Sequence, residues 1–240
     1  MARTNPPAGS SSRPRHALAW LRPDAAWRAD APAAAPLLSA WFAAGRPAVV
    51  ARPRGGEPVG HLRLGVALPP AAGKQRLGLT VAADRVAAWR APLPLHALGR
   101  SVPPDWRGAL AALQRRRRAL GLSEPAVYGS FAWQALTGLA YVGPGSDLDL
   151  AWALATPAAL DALCDLLAGW ERTTGRRVDG EVLLPGAAAV CWRELAGGAA
   201  QVLVKAPDGA RLQSRAAIRA ALARAPARYA RPAATLARCG

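Results

Sequence analysis

From residue 120 onward the hydrophobic period of the chain switches repeatedly between that of a strand and that of a helix. "AVYGS" is a short strand ending in Gly-Ser, and "FAWQALTG" is a helix closed by Gly138. After the loop "YVGPGS", "DLDLAWAL" alternates with a period of two, as a half-buried strand does. "TPAALDALCDLLAGWERTTG" predicts a helix with Thr156 as N-cap, Pro157 at the first helical position and Gly175 as the stop. "RRVDGEVLL" is a further strand. Strand, helix, strand, helix, strand in this order requires a mixed or parallel sheet with helices laid against it.

The rest of the chain is organised around that unit. Residues 1–15 read as a polar, disordered tail and residues 226–240 as a second, Arg/Pro-rich one. Residues 16–90 form a smaller α/β N-terminal domain. It holds a helix in "PLLSAWFAAG" ended by Gly45, strands in "RPAVVARP", "VGHLRLGVAL" and "KQRLGLTV", and a short helix in "AADRVAAWR". Residues 91–104, rich in proline and without a period, are expected to be a linker. The second domain spans 105–225 and opens with a helix from Asp105 to Leu120. Trp106, Leu110, Leu113 and Leu120 make its apolar stripe, and the run Arg115–Arg118 is expected to be a solvated helix end favoured by the dipole. "AAVCWRELAGG" is ambiguous between strand and helix, "QVLVKAPDG" is a strand and turn, and "SRAAIRAALARA" is a last helix. The expected class is α+β.

The formal net charge is +16, with only 15 acidic residues among 240, and all but two of the 31 cationic residues are arginine. GC-rich codon usage accounts for arginine over lysine but not for the shortage of acids, and so large a surplus favours an anionic partner. Cys164, Cys191 and Cys239 are far apart without C-x-x-C spacing, so neither zinc nor a disulfide framework is expected, and a reducing cytoplasm is the default location. No run of eighteen apolar residues occurs, so no membrane span is expected. His16, His61 and His96 show no ligand or triad spacing.

The scarce acids gain meaning from where they fall. On a strand, Asp147 and Asp149 share one face while Leu148 and Leu150 point into the core. Two carboxylates so close repel unless a cation lies between them, and magnesium suits such a site because it takes carboxylate oxygens and phosphate together. Gly129 allows a backbone to approach a ligand closely, and Ser130 opens a helix whose N–H groups favour an anion. A Gly-Ser corner alone is more often just a turn.

The combination, Gly-Ser at a helix start followed by Asp-x-Asp on the next strand, resembles the signature of the nucleotidyltransferase fold. "RHALAWL", "WFAAGRPAVVARP", "LPPAAGKQRLGL", "VYGSFAWQALTGLAYVGPGSDLDLAW", "VDGEVLLPGAAAVCWREL" and "VLVK" are similar to the phosphoribosyl-dephospho-coenzyme A transferases of bacterial malonate decarboxylase. The resemblance implies a nucleotidyltransferase-like mixed sheet. It implies a magnesium site (manganese being the alternative) held by Asp147 and Asp149, with Asp179 as the third carboxylate and Glu181 in reserve on the same face. It also implies phosphate binding at Gly129 and Ser130. The implied donor is triphosphoribosyl-dephospho-coenzyme A, and the implied acceptor is a serine of the apo acyl-carrier subunit, with pyrophosphate leaving. The sixteen residues between Ser130 and Asp147 are more than is commonest in the superfamily.

Lys74 and Lys205, the only lysines, are candidates for phosphate contact, because a compact ammonium fits where a planar fork does not. Most of the nine tryptophans are expected in the core. Trp133 is placed where it can stack on adenine or wall the pocket. Arg193 and Glu194 are either an ion pair or donor contacts. The competing readings are a generic nucleotidyltransferase with another acceptor and a basic nucleic-acid-binding module. The latter is disfavoured because no basic-aromatic ladder is present.

Overall fold

The computed structural model describes residues 16–224; the segments 1–15 and 225–240, which include both expected tails, lie outside the described residues. The chain runs β1 (Leu18–Leu21), β2 (Trp27–Ala29), α1 (Ala35–Ala43), β3 (Ala48–Val50), β4 (His61–Ala67), β5 (Arg76–Ala82), β6 (Val86–Arg90) and β7 (Leu93–Pro94). It continues with α2 (Pro104–Ala119), β8 (Ala126–Val127), α3 (Gly129–Thr137), β9 (Leu148–Ala153), α4 (Pro157–Thr174) and β10 (Val178–Leu184). It closes with β11 (Ala188–Cys191), α5 (Trp192–Ala196), β12 (Gln201–Ala206), β13 (Gly209–Ser214) and α6 (Arg215–Arg224).

Two sheets result, giving the α+β class. The first has the order β2-β5-β4-β3-β1-β6 with every pairing antiparallel. The second has the order β13-β12-β11-β10-β9-β8-β7. It is mixed: β9 and β10 are parallel, joined by α4, and the other pairs are antiparallel. The caps of α4 follow from its sequence. The Thr156 hydroxyl accepts from the Ala159 N–H at 3.1 Å, and Gly175 ends the helix at φ +67°. One face of the second sheet is the core: Leu148, Leu150 and Trp152 are each fully buried. Burying each of the two leucines contributes about 1.5–3 kcal/mol.

Three local expectations are corrected. "AADRVAAWR" is a single 3-10 turn followed by β6, because Val86–Arg90 pairs with β1 and sheet hydrogen bonds outweigh the helix propensity of its alanines. Residues 91–104 are not a free linker: Leu93–Pro94 joins the second sheet, and Leu95, Leu98 and Val102 are buried in its core. Within the arginine run, Arg115, Arg116 and Arg118 are exposed, but Arg117 is buried. Its guanidinium meets Glu124 at 2.6 Å, the Leu122 carbonyl at 2.6 Å and Gln114 at 2.9 Å, so the cost of burying the charge is met by partners.

Each sheet has its own core, but the second half of the chain contributes to the first. Trp133 and Tyr141, from the second half of the chain, pack in the N-terminal apolar cluster with Leu38, Trp41 and Leu64. Trp133 stands edge-on to Trp41 at 5.7 Å between ring centroids, and the Tyr141 hydroxyl donates to the Ala67 carbonyl at 2.7 Å. Burial pushes the Tyr141 phenol up to about 12, so it stays a donor. Trp133 is therefore a joint between the halves, and its expected place against adenine is withdrawn.

Candidate active site

The site lies on the face of the second sheet opposite its core. Asp149 on β9 is paired in register with Asp179 on β10, and directly opposed residues share a face. Glu181, two residues on, is on that face too. Register carries the face further, through Glu181–Cys191 and Ala189–Lys205, to Lys205 on β12. Asp147 immediately precedes β9.

Gly129 begins α3 at φ +62°, and a Cβ there would lie 1.7 Å from a carboxylate oxygen of Asp149. The glycine is required twice over, by the left-handed backbone and by the carboxylate that fills the space a side chain would take. The Ser130 backbone N–H favours the charged form of that carboxylate. The helix start thus does face an anion, but part of its capacity goes to Asp149. Just before the helix, the Tyr128 N–H donates to the Asp149 backbone carbonyl at 3.1 Å.

Burial, and then the negative charges of Asp147 and Asp179, push the Asp149 carboxyl up to about 7; the Ser130 N–H and the Arg76 guanidinium act in the opposite direction. The three aspartates therefore share one electrostatic field. Among the described residues, no three His, Cys, Asp or Glu side chains form a ready-made metal cage. The donor set still fits a hard divalent cation. It offers carboxylate oxygens, one of them destabilised as an anion, and magnesium is usually held by one or two carboxylates plus substrate phosphates. Asp147 and Asp149 are the pair that would hold it, with Asp179 beside them in register.

Glu181 has a different setting from the one expected. It is 6% exposed, and is held by a hydrogen bond to His16 Nε2 at 3.1 Å and an ion pair with the Lys205 ammonium at 3.8 Å. His16 also stacks face to face on Tyr128, with 3.9 Å between centroids and 5° between planes. Lys205 thus points along the site face toward Glu181. Lys74 is exposed in the β4–β5 connection at φ +53°, its N–H donating to the Pro69 carbonyl at 3.2 Å. Arg193 and Glu194 do not pair with each other: Arg193 binds Glu171 at 2.8 Å, and Glu194 accepts the Leu203 N–H at 2.6 Å. An apolar cavity of about 80 Å³, lined in part by His16, Leu18, Tyr128, Gly129 and Trp133, lies behind the glycine corner.

His16 and Arg76 are the site neighbours that sequence reasoning missed. Both come from the N-terminal half, and no spacing links them to the aspartates. The lone arginine after Lys74 and Gln75 looked like one more of many. His16→Ala should lower the unfolding free energy by about 1–3 kcal/mol, from the lost hydrogen bond to buried Glu181 and the lost stack on Tyr128. A urea titration checks this, and His16→Phe should recover the stacking part alone.

Residues 14–92 match the family model described as phosphoribosyl-dephospho-CoA transferase MdcG N-terminal domain, and residues 93–216 match the corresponding C-terminal domain. The border between the models falls where the chain passes from the first sheet, at β6, to the second, at β7. A phosphoribosyl-dephospho-CoA transferase of Xanthomonas campestris pv. campestris (strain 8004) is 53% identical over 204 residues, covering 85% of this chain and 95% of that protein. One from Bradyrhizobium diazoefficiens is 39% identical over 207 residues, covering 83% and 90%. One from Pseudomonas fluorescens is 36% identical over 216 residues, covering 83% and 91%. No solved structure matches.

Proposed function

Since the chain belongs to the phosphoribosyl-dephospho-CoA transferase family, we propose that it moves the phosphoribosyl-dephospho-CoA group from triphosphoribosyl-dephospho-CoA to a serine of the acyl-carrier subunit of malonate decarboxylase, releasing pyrophosphate. The observation that carries this reading is the Asp149 carboxylate, half-buried, seated against Gly129 and flanked by the charges of Asp147 and Asp179. A protein does not set two like charges beside a half-buried carboxyl for stability, so the arrangement implies a cationic guest.

Asp147 and Asp149 are the residues that would hold magnesium, or manganese in its place. The bound cation supplies charge neutralisation on the phosphates during nucleotidyl transfer. The chain's own part is positioning. Gly129 lets the backbone come close enough to seat the Asp149 carboxylate, and the α3 start with Ser130 presents a positive dipole end to the donor's phosphates. Asp179 adds negative charge on the neighbouring strand. The serine oxygen attacks the α-phosphate and gives up its proton to solvent, a new P–O bond forms, and the bond to pyrophosphate breaks with the electron pair leaving on the latter. A strongly basic chain suits both a triphosphate donor and an acidic carrier, and steering of that kind weakens with salt. Cys164 and Cys191 are free thiols, in keeping with a cytoplasmic enzyme. Among the described residues, no helix is long and apolar enough to cross a membrane.

The test is incubation with donor labelled in its dephospho-CoA part, together with the apo acyl-carrier subunit. Label on a carrier serine, with one pyrophosphate per transfer, is the expected outcome. Pyrophosphate release with label on another acceptor would leave a nucleotidyltransferase but remove the carrier assignment.

A further inference from the structure

The N-terminal sheet is more than a neighbour of the site. In the β4–β5 hairpin, Ala67 is paired in register with Arg76. The Ala67 carbonyl is the acceptor of the Tyr141 hydroxyl at 2.7 Å. Tyr141 opens the loop that delivers Asp147, and that loop is pinned at both ends. Gln134 Oε1 accepts the Tyr141 and Val142 N–H groups at 3.0 Å each, and the Gly143 N–H donates to the Ser146 hydroxyl at 3.0 Å. The strand that carries Arg76 is therefore tied to the loop that delivers Asp147 by two joints, the hairpin register and the Tyr141 bond, and the Arg76 charge acts on Asp149.

Its charge has been left open. Most of the better-buried arginines here are spent on a close carboxylate: Arg63 on Asp30, Arg117 on Glu124, Arg193 on Glu171. Among the described residues Arg76 enters no ion pair, and its side chain is exposed, although its field reaches Asp149. A cation facing anions at more than contact distance leaves a gap between them, and the natural occupant of that gap is negative toward the arginine and cation-bearing toward the aspartates.

We propose that Arg76 is a phosphate-binding residue, so that the N-terminal sheet completes the donor site by gripping the phosphate chain from the side opposite Asp147 and Asp149. The planar guanidinium forms two parallel hydrogen bonds to phosphate oxygens, which an ammonium does not. Lys74, two residues before it on the same hairpin, adds charge at the rim. The inference rests on the reading of the donor as a triphosphate, and it makes the two family domains halves of one site.

The full-length chain, with inorganic tripolyphosphate and magnesium as the probe, tests this by calorimetry. Arg76→Gln should weaken tripolyphosphate binding about tenfold or more, Arg76→Lys should recover part of the loss, and the melting temperature should not move, since no ion pair is broken. In transfer assays the KM for the donor should rise more than kcat falls. Unchanged tripolyphosphate affinity in Arg76→Gln overturns the inference, as does absence of magnesium-dependent tripolyphosphate binding by the unaltered protein. If the unaltered protein binds the probe through Arg76 but labels no carrier, the proposed acceptor fails while the role of Arg76 stands.

Discussion

Asp149→Asn will reduce transfer at least about a thousandfold, because the side chain that would hold the cation loses its charge, and several kcal/mol of phosphate charge stabilisation go with it. Asp147→Asn should abolish transfer likewise. The same substitution at Asp149 will stabilise the metal-free protein. The Asp149 carboxyl is raised to about 7 in the folded chain against an ordinary value of 3.8. Below pH 4 both states hold the proton and the side chain has no net effect. Between about pH 4 and 7 the unfolded chain releases the proton while the folded chain retains it, so stability falls as pH rises. Above 7 the full loss, about 2–4 kcal/mol, persists. The asparagine has no such dependence. Metal-free melting curves of the two proteins should therefore coincide near pH 4 and separate up to pH 7, with the variant higher. Added magnesium should raise the melting temperature of the unaltered protein and leave the variant unmoved. Retained transfer in Asp149→Asn would overturn the metal assignment.

Gly129→Ala will cost about 2–4 kcal/mol of stability and at least about a hundredfold in transfer rate. A left-handed alanine costs about 1–2 kcal/mol by itself. Its methyl would also lie 1.7 Å from the Asp149 carboxylate oxygen, so that carboxylate must be displaced. A misplacement of the order of 1 Å at a reacting centre is worth about a hundredfold. Urea unfolding measures the first effect and single-turnover transfer the second. An alanine variant with the normal rate would show that the position of the Asp149 carboxylate is immaterial. A control at Gly138 separates backbone from contact: it has φ +70°, and an alanine methyl there would meet nothing within 4 Å, so Gly138→Ala should show the strain without the loss of rate.

The strand and helix order after residue 120 was legible because each segment carries its own signal. Thr156, Pro157 and Gly175 bound α4 by local hydrogen bonding and backbone preference, and Leu148, Leu150 and Trp152 declare a buried strand face. Asp147 and Asp149 were drawn together on the ground that side chains two apart on a strand share a face; the strand begins only at Leu148, and Asp147 acts on Asp149 from the position just before it. "AADRVAAWR" was misread because its outcome depends on β1, some seventy residues earlier, which supplies the hydrogen bonds that make β6 a strand.

Local sequence thus determined most of the elements after residue 120 and the turn at Gly129, which depend on contacts within a few residues. Tertiary structure alone decided that Asp179 stands in register with Asp149, that Glu181 is occupied by His16 and Lys205, and that Arg76 reaches the cluster from the other sheet. Those relations join residues up to 165 positions apart. They arise from strand register and from the shared packing of Trp133 and Tyr141 against the N-terminal core, and neither leaves a periodic trace along the chain.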